Sequence, residues 1–441
     1  MSTQPTSLIA FAIEKLSQVK PNELKVTFAS FVMVFILMAS YFILRPVRDA
    51  MASDWSDSEV SALWNLQFFI SAGIVSLYGF AISKIRFKYL VPIVYSFFSI
   101  SFIAFYFLVP LMSDPTIAEK SFYVWVSAFS LFHVSVFWSF MADTYSPEQS
   151  KRLFSVVAAG ASAGAIMGPL LPALFSEQLG TDNLMLIAAC CLILVVPLSL
   201  YIYRLKITDL HNQAVKADLS AAALGGTWWS GFRSVISNPK LMGISAFILL
   251  YVFIGSFVYF EQKNLLADFS RSERSQILGS IDWIVNTLTF VMAFFLTGRI
   301  VTKLGMAFSL ALMPALLIVG MVILAFAPMV VVILSIQIAR RAGSYAVTRP
   351  AREMLFTHVT QDERFKAKPV IDIVVYRGGD AVSGSLFALL TEGVGLGLMA
   401  VSLVGAFIAS VWTGVAVYLG RGYANEENEN GELVNTKEAS V

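Results

Sequence analysis

Cysteine, histidine and charge are all scarce in this chain of 441 residues. Its two cysteines, Cys190 and Cys191, are adjacent within one apolar run, which excludes a disulfide framework. The three histidines, His133, His211 and His358, are scattered and offer no metal-ligand spacing, so neither a metal nor another cofactor is expected. Charged residues make up 14% of the chain, against about a quarter in soluble domains, which argues against a soluble globular class. There is no P-loop, no glycine-rich phosphate turn and no nucleophile elbow. An enzyme is therefore not expected, and an ATP-driven pump lacks its nucleotide-hydrolysing domain. No basic tract suggests nucleic acid, and the formal net charge of +2 says little about partners. No secretory signal peptide is recognisable; "SLIAFAIEKLSQV", residues 7–19, reads either as an amphipathic helix on the membrane or as a frayed tail.

What the chain has instead is apolar length. It is 57% hydrophobic, with a mean hydropathy of +0.73. Twelve apolar blocks stand at about 26–47, 60–82, 89–111, 121–144, 154–176, 183–203, 241–262, 277–298, 305–326, 329–349, 369–391 and 397–419. Each can cross a hydrocarbon core of about 30 Å. Only helices and closed barrels can do so, and these blocks are too long and too unalternating for barrel strands. The expectation is an all-α integral membrane protein of twelve spans.

Lysine and arginine in the loops set the orientation. With the N-terminus inside, Lys15, Lys20, Lys25, "KIRFK" (84–88), Lys151, Arg152, Arg299, Lys303, "ERFKAK" (363–368), the central loop and the tail all fall on the cytoplasmic side. The outer loops keep little beyond Lys120, Lys263, Arg271 and Arg274. Both termini are thus expected in the cytoplasm, in the inner membrane. The organisation read from this is a cytoplasmic segment 1–25, a six-helix bundle 26–203, a central loop 204–240, a second bundle 241–419 and a cytoplasmic tail 420–441, the tail lacking regular structure. Within the central loop, "TWWSGFRSVIS" (227–237) puts its apolar residues on one helical face, as an interfacial helix does.

The halves echo each other. "YGFAISKI" after the second span matches "TGRIVTKL" after the eighth, and "TYSPEQSKR" after the fourth matches "HVTQDERFKAK" after the tenth, at an offset of about 214 to 219 residues. Two six-helix halves in parallel repeat form the architecture of the major facilitator type, whose substrate lies near the midplane between the halves. A channel or scaffold with the same helix count is the alternative.

Ionisable residues then stand where lipid should exclude them. Span 1 ends with Arg45, Arg48 and Asp49, and span 4 with Asp143. Span 7 ends with Glu261 and Lys263, and span 8 holds Asp282. Span 10 holds Arg340, Arg341 and Arg349, and span 11 holds Asp372, Arg377 and Asp380. A mid-span arginine costs about 2.5–3.5 kcal/mol on insertion scales, so these groups must face protein or water. Arg341, Tyr345 and Arg349, spaced by four, are expected on one helix face. The charges could simply neutralise each other and pin the helices. Spans 1, 10 and 11 nevertheless bear six arginines against three aspartates, and a guanidinium surplus suits a phosphate or carboxylate ligand. Arg340, Arg341 and Arg349 are expected to line a central cavity, at least one pairing with Asp372 or Asp380 when the cavity is empty. In "GASAGAIMGP", Gly160, Gly164 and Gly168 form a small-residue face for close packing; the arrangement also looks like the fifth-span motif of facilitator antiporters.

Several motifs together resemble the ATP/ADP translocase family of nucleotide transporters. They are "YFILRPVRDAM" (41–51), "FWSFMADTYSPEQSKRLFSVVAAGASAG" (137–164), and "RPAREMLF" (349–356) followed by "KAKPVIDIVVYRGGDAVSGS" (366–385). The resemblance implies a facilitator-like fold and exchange of ATP for ADP plus phosphate. It also implies family positions for Arg48, Arg352, Lys366, Lys368, Asp372 and Arg377. The chain departs from the pattern in three places. Arg349 replaces an expected acid, Asp380 replaces an expected lysine, and no glutamate precedes Phe137 in span 4. Those changes could restore the same pairs in mirror image or mark a different substrate.

Three functions stay open. The first is an exchanger of nucleotides or other phosphorylated anions, working as a monomer by alternating access with the bilayer as its setting. The second is a proton-coupled facilitator of another solute, with Asp49, Glu261, Asp282, Asp372 and Asp380 as candidate carriers. The third is a non-transporting sensor or assembly partner.

Overall fold

The structure is a computed structural model that describes residues 19–85, 87–210, 212, 230–295, 297–356, 359–360, 367–368 and 370–438. The segments proposed as an N-terminal amphipathic helix and as Trp228 and Trp229 of the central loop lie outside these residues, as does Lys366. The described residues are helical, with no strand among them. In order they form α1 (Leu24–Ala52), α2 (Asp57–Lys84), α3 (Phe87–Leu108), α4 (Thr116–Thr144), α5 (Pro147–Met167), α6 (Leu170–Thr208) and α7 (Ser230–Ser237). These are followed by α8 (Pro239–Leu265), α9 (Arg271–Phe295), α10 (Thr297–Phe326), α11 (Val330–Gly343), α12 (Arg349–Leu355), α13 (Tyr376–Ala388) and α14 (Leu398–Glu438).

Among the described residues ten stretches are long and apolar enough to cross a membrane; α2, a helix of 28 residues, adds one and the division described next another, which gives twelve spans. The stretch Pro147–Thr208 is divided at Gly180, whose φ of 76° lies in the left-handed region that favours glycine, so it supplies two. Gly305, at φ 79°, likewise separates the start of α10 from its membrane-crossing part. Spans 10 and 11 are not continuous α-helix. Wider π turns run through Ser344–Thr348, Val370–Val375 and Leu389–Gly393. Pro350 accounts for the first: it lacks an amide proton and its ring would collide with the carbonyl four residues back, which a wider turn relieves. The tail differs from the expectation of an irregular segment, since α14 continues to Glu438. A helix already nucleated in span 12 adds residues without a further nucleation penalty.

Contacts divide the chain into two compact units. The first comprises Met1–Ala52, Phe69–Leu219 and Phe269–Trp283; the second comprises Ser53–Phe68, Ser220–Asp268 and Ile284–Val441. The first half of α2 thus belongs to the second unit, and the first half of α9 to the first.

In the first unit α1 packs against α4, α5 and α6. The α1–α5 seam is glycine-lined. A Cβ at Gly160 would lie 2.5 Å from the Phe31 carbonyl oxygen, one at Gly164 would overlap that of Phe35, and one at Gly168 would lie 2.7 Å from Ala39 Cα. Between α3 and α4, Phe98, Phe102, Phe122 and Phe129 pack as an aromatic core with ring centroids 5.1–6.3 Å apart. In the second unit α8 packs against α11, α13 and α14, and α10 against α14. Phe260 stacks on Phe387 at 4.8 Å, and Phe247 and Tyr251 both meet Trp412.

Two features fit a lipid surround. Large apolar side chains lie exposed on the helices, among them Phe69, Phe107, Leu111, Phe308 and Phe407; in water such a surface would aggregate. Hydroxyls inside the spans, including Ser127, Thr144, Ser256 and Thr413, donate to the carbonyl four residues back and so satisfy themselves without water.

Candidate functional site

Each unit carries its own set of intramembrane charges. In the first unit, Arg45 and Arg48 are one turn apart on α1. Arg48 donates to Asp49 Oδ1 from Nε at 2.9 Å and from Nη2 at 2.6 Å. It also donates to Ser127 Oγ at 2.9 Å and lies over the Tyr123 ring. Arg45 donates to Asp282 Oδ1 at 3.1 Å and stands 3.7 Å from Asp49. Two guanidiniums therefore face two carboxylates. One turn earlier Tyr41 stacks on the buried His133 at 4.5 Å. Asp143 forms a separate pair with Lys206 at 2.8 Å.

In the second unit, α8, α11 and α13 converge on a polar, aromatic cluster. The glycine pair in "YRGGD" allows this approach: a Cβ at Gly379 would stand 3.1 Å from both Leu249 and Val252 of α8. Span 11 thereby brings Tyr376, Arg377 and Asp380 towards Tyr251, whose ring is 6.3 Å from that of Tyr376. Arg340 enters from α11. Its guanidinium donates twice to Gln337 Oε1, at 2.6 and 3.1 Å, and stands over the Tyr251 ring. Gly255 provides the room, since a Cβ there would lie 3.0 Å from Arg340 Nη1. Arg377 is 3.6 Å from Asp380, and Arg340 acts on the same carboxylate electrostatically. Two cations thus attend one carboxylate, and Arg340's hydrogen bonds go to a neutral amide.

A third group sits where span 10 ends. Arg352 pairs with Glu353 at 2.5 Å and stands 3.7 Å from Asp372, while Lys368 pairs with Glu353 at 2.6 Å. Arg349, exposed, adds its field to Asp372. Two expectations change here. The carboxylates of span 11 find Arg377 and Arg352 within ion-pair distance, rather than an arginine of the 340, 341 and 349 set. The shared face of Arg341, Tyr345 and Arg349 is also lost: Arg341 is buried at 5% exposure, while Tyr345 is 39% exposed. The π turn at Ser344–Thr348 breaks the register that four-residue spacing assumes.

Two further carboxylate sites lie in the second unit. Glu261 is fully buried and accepts from Ser402 Oγ at 2.8 Å. Lys263 donates to the Trp55 carbonyl at 2.7 Å and lies 2.8 Å from Asp57, whose amide donates to Glu392 at 2.6 Å. The sequence reading missed several partners: Lys206 for Asp143, Asp57 for Lys263, and Glu119 for Arg271 in the first unit. It also missed the repeated pattern Arg-Pro-x-Arg-acid, present as "RPVRD" at 45–49 and "RPARE" at 349–353. Among the described residues no group of histidine, cysteine and carboxylate side chains could hold a metal ion.

Twelve apolar helices that carry paired and surplus charge inside their spans define a multi-pass membrane transporter for a small solute. The family model of the Major Facilitator Superfamily matches residues 30–360, and the chain belongs to that superfamily. The fold is similar to that of the nucleoside transporter NupG, with a TM-score of 0.63 and 12% identity over 91% of this chain and 99% of that one. It is also similar to a bacterial homologue of the human lysosomal transporter Spinster. In the inward-facing, unoccupied conformation the TM-score is 0.54 with 14% identity over 92% and 96% of the two chains. In the inward-facing, occupied conformation it is 0.59 with 15% identity over 91% and 97%. At such identities the likeness is one of fold. No curated protein sequence matches significantly.

Proposed function

We propose that the protein exchanges a small phosphorylated anion, of the nucleotide class that its motifs resemble, across the cytoplasmic membrane, with both termini inside and a single chain as the working unit. The observation that carries this reading is Arg340. It is a half-buried guanidinium in span 10 that is held by an amide and an aromatic ring, and its field and that of Arg377 both act on Asp380. A guanidinium so placed keeps its charge available, and its planar fork matches a phosphate oxygen pair. Tyr251, Tyr345 and Tyr376 give the same cluster aromatic faces. Arg377 and Asp380 act as the pair that a bound anion would loosen. Within the first unit Arg45 and Arg48 are a second set of anion-binding candidates, with Asp49 and Asp282 as their counter-ions. Arg341, Arg349, Arg352 and Asp372 support spans 10 and 11 around the cluster, while Asp143 and Lys263 hold their own spans.

The test is uptake of labelled ATP into proteoliposomes preloaded with ADP or left empty, beside Arg340→Gln. Uptake that needs internal ADP and disappears in the variant supports the exchanger. Folded protein that takes up uridine but not ATP would replace the phosphate with a nucleoside, the solute named for one structural neighbour. A second reading has its own observation. Glu261 is enclosed with one neutral hydrogen-bond partner, which makes it a candidate proton carrier for a proton-coupled facilitator. Uptake that survives collapse of a pH gradient and is unchanged in Glu261→Gln counts against it.

A further inference from the structure

Arg340 has a counterpart in the first unit. Arg48 donates from Nε at 2.9 Å and from Nη2 at 2.6 Å to a single oxygen, Asp49 Oδ1. Arg340 donates from Nε at 3.1 Å and from Nη2 at 2.6 Å to a single oxygen, Gln337 Oε1. The clamp has the same form in both places, one acceptor filling the side-on edge of the guanidinium. The acceptors differ in charge. Asp49 brings a negative charge and Gln337 brings none. A carboxylate clamp orients an arginine and neutralises it, whereas an amide clamp orients it and leaves its charge in place.

Gln337 is 4% exposed and stands one turn before Arg340 on α11. A buried amide costs free energy unless it is hydrogen-bonded, so packing alone would favour an apolar residue at this position. Its carbonyl oxygen is spent on Arg340. A guanidinium has five N–H groups, and Gln337 takes the one on Nε and one on Nη2. Among the described residues no other acceptor meets Arg340. The paired donors that remain are those of the end-on edge, one N–H on Nη2 beside one on Nη1. Gly255 leaves room at Nη1, because a Cβ there would stand 3.0 Å away. The charged groups of span 11 beside this arginine are accessible, with 25% of the Arg377 side chain and 27% of the Asp380 side chain exposed.

We propose that Gln337 is the specificity-determining residue of this site, a neutral clamp that presents the end-on edge of a charged Arg340 to two oxygens of one phosphoryl group. This rests on the reading of Arg340 as an anion-binding group. Gln337 is a positioning residue: it acts through Arg340 and not on the solute. A carboxylate in its place would rebuild the Arg48 arrangement, cancel the charge of Arg340 and close the site to anions. Arg377 would not make up the loss, since Asp380 already stands 3.6 Å from it.

The experiment is equilibrium binding of labelled ATP to the full chain in detergent, with pyrophosphate as competitor. Wild-type protein is compared with Arg340→Gln, Gln337→Glu and Gln337→Met, and the unfolding midpoint of each is measured beside it. Gln337→Glu keeps the shape of the side chain and adds the charge. Its midpoint should be unchanged or raised, while ATP and pyrophosphate bind at least roughly tenfold more weakly. Gln337→Met keeps the length and loses the acceptor, and its affinity should fall by roughly three- to tenfold. A residue that merely packs α11 would show the reverse, with stability lost and affinity kept. Wild-type affinity in Gln337→Glu, beside weakened binding in Arg340→Gln, would overturn the assignment of Gln337 and leave Arg340 as the anion-binding group. Unchanged affinity in Arg340→Gln, or no anion bound by the wild type, would overturn the reading of Arg340 and this inference with it. A midpoint that falls in step with affinity in both Gln337 variants would assign the residue to packing and overturn its role in specificity.

Discussion

The pattern Arg-Pro-x-Arg-acid occurs twice, and the two copies are treated differently. In "RPVRD" the proline lies inside the continuous helix α1, and the acid is buried between two half-buried arginines. Asp49 is 9% exposed and takes both Arg48 at 2.6 Å and Arg45 at 3.7 Å, while Asp282 completes the balance. In "RPARE" the proline follows a π turn and starts a new helical segment. Arg352 again pairs with the next residue, Glu353, at 2.5 Å, but Glu353 is 37% exposed and shared with Lys368. The same five positions therefore give a closed ion network in the first unit and an open one in the second. Burial decides what each carboxylate is worth. Breaking one side of a buried pair leaves an uncompensated charge at about 3–5 kcal/mol; Arg352 is buried too, but it keeps Asp372 at 3.7 Å when the half-exposed Glu353 is lost.

The largest effect expected from this contrast is on folding. Asp49→Asn should destabilise the purified protein by about 3–5 kcal/mol, and Glu353→Gln by clearly less, read as thermal or denaturant unfolding in detergent. Adding Arg48→Gln to Asp49→Asn should recover part of the loss, because the orphaned guanidinium is removed with its partner. Equal losses for the two carboxylates would mean that burial does not separate the two copies.

Transport should show the opposite ranking. Arg340 has a neutral hydrogen-bond partner, so Arg340→Gln should leave the unfolding midpoint nearly unchanged. Uptake should nevertheless fall by roughly ten- to a hundredfold, the value of one charge-assisted bond of about 1.5–3 kcal/mol. Arg340→Lys keeps the charge and loses the planar fork, and should lie between the two. Competition by unlabelled ATP measured on the three proteins sharpens the reading, since a purely structural arginine would alter expression and not apparent affinity.

Much of this was legible without coordinates. Apolar run length placed all twelve spans, because crossing a bilayer sets a minimum number of residues per helix. The penalty for charge in lipid also drew attention to span 1, span 10 and span 11. Partner choice was less accessible. Lys206 with Asp143 and Lys263 with Asp57 join residues far apart in sequence, and side-chain type alone does not specify which helices are neighbours. Register failed for a local reason. The four-residue rule that grouped Arg341 with Arg349 holds only in an α-helix, and Ser344–Thr348 is wound more widely. The proline at 350 was the available signal for that turn. The two Arg-Pro-x-Arg-acid copies were also visible as text, but their unequal burial was not.

Glycine offers a subtler comparison of the two units. Gly164 faces α1 so closely that an added Cβ would overlap the Phe35 carbonyl oxygen, and backbone on a packed helix cannot yield cheaply. Gly164→Ala should therefore cost about 1–3 kcal/mol. At Gly378 the nearest atom to an added Cβ is Phe68 Cε2 at 3.9 Å, an ordinary contact. Gly378→Ala should be neutral or stabilising by up to about 1 kcal/mol, because it removes freedom from the unfolded chain. Unfolding of the two variants side by side distinguishes a seam that needs glycine from a position that merely contains it.

The last effect lies at the start of α1 and is set apart by its dependence on pH. Glu23 precedes α1 and is gripped by Arg152, with Nη2 to Oε1 at 2.8 Å and Nη1 to Oε2 at 3.2 Å, while the Lys20 amide donates to Oε2 at 3.0 Å. Burial pushes the carboxyl upward, but the Arg152 bonds and the Lys20 amide outweigh it and hold the group below its ordinary value of 4.5. A depressed carboxylate stabilises the fold at pH above that ordinary value. The contribution fades as pH falls through the folded-state value, because there the unfolded chain binds the extra proton first. Glu23→Gln should thus lower the unfolding midpoint at neutral pH and lose that effect once the pH is well below the folded-state value. Arg152→Gln should reproduce the same pH profile, since either substitution removes one half of a single pair. A midpoint difference that persisted into acid would assign the effect to packing at the start of α1 and not to charge, and would place this pair with the structural contacts of the first unit.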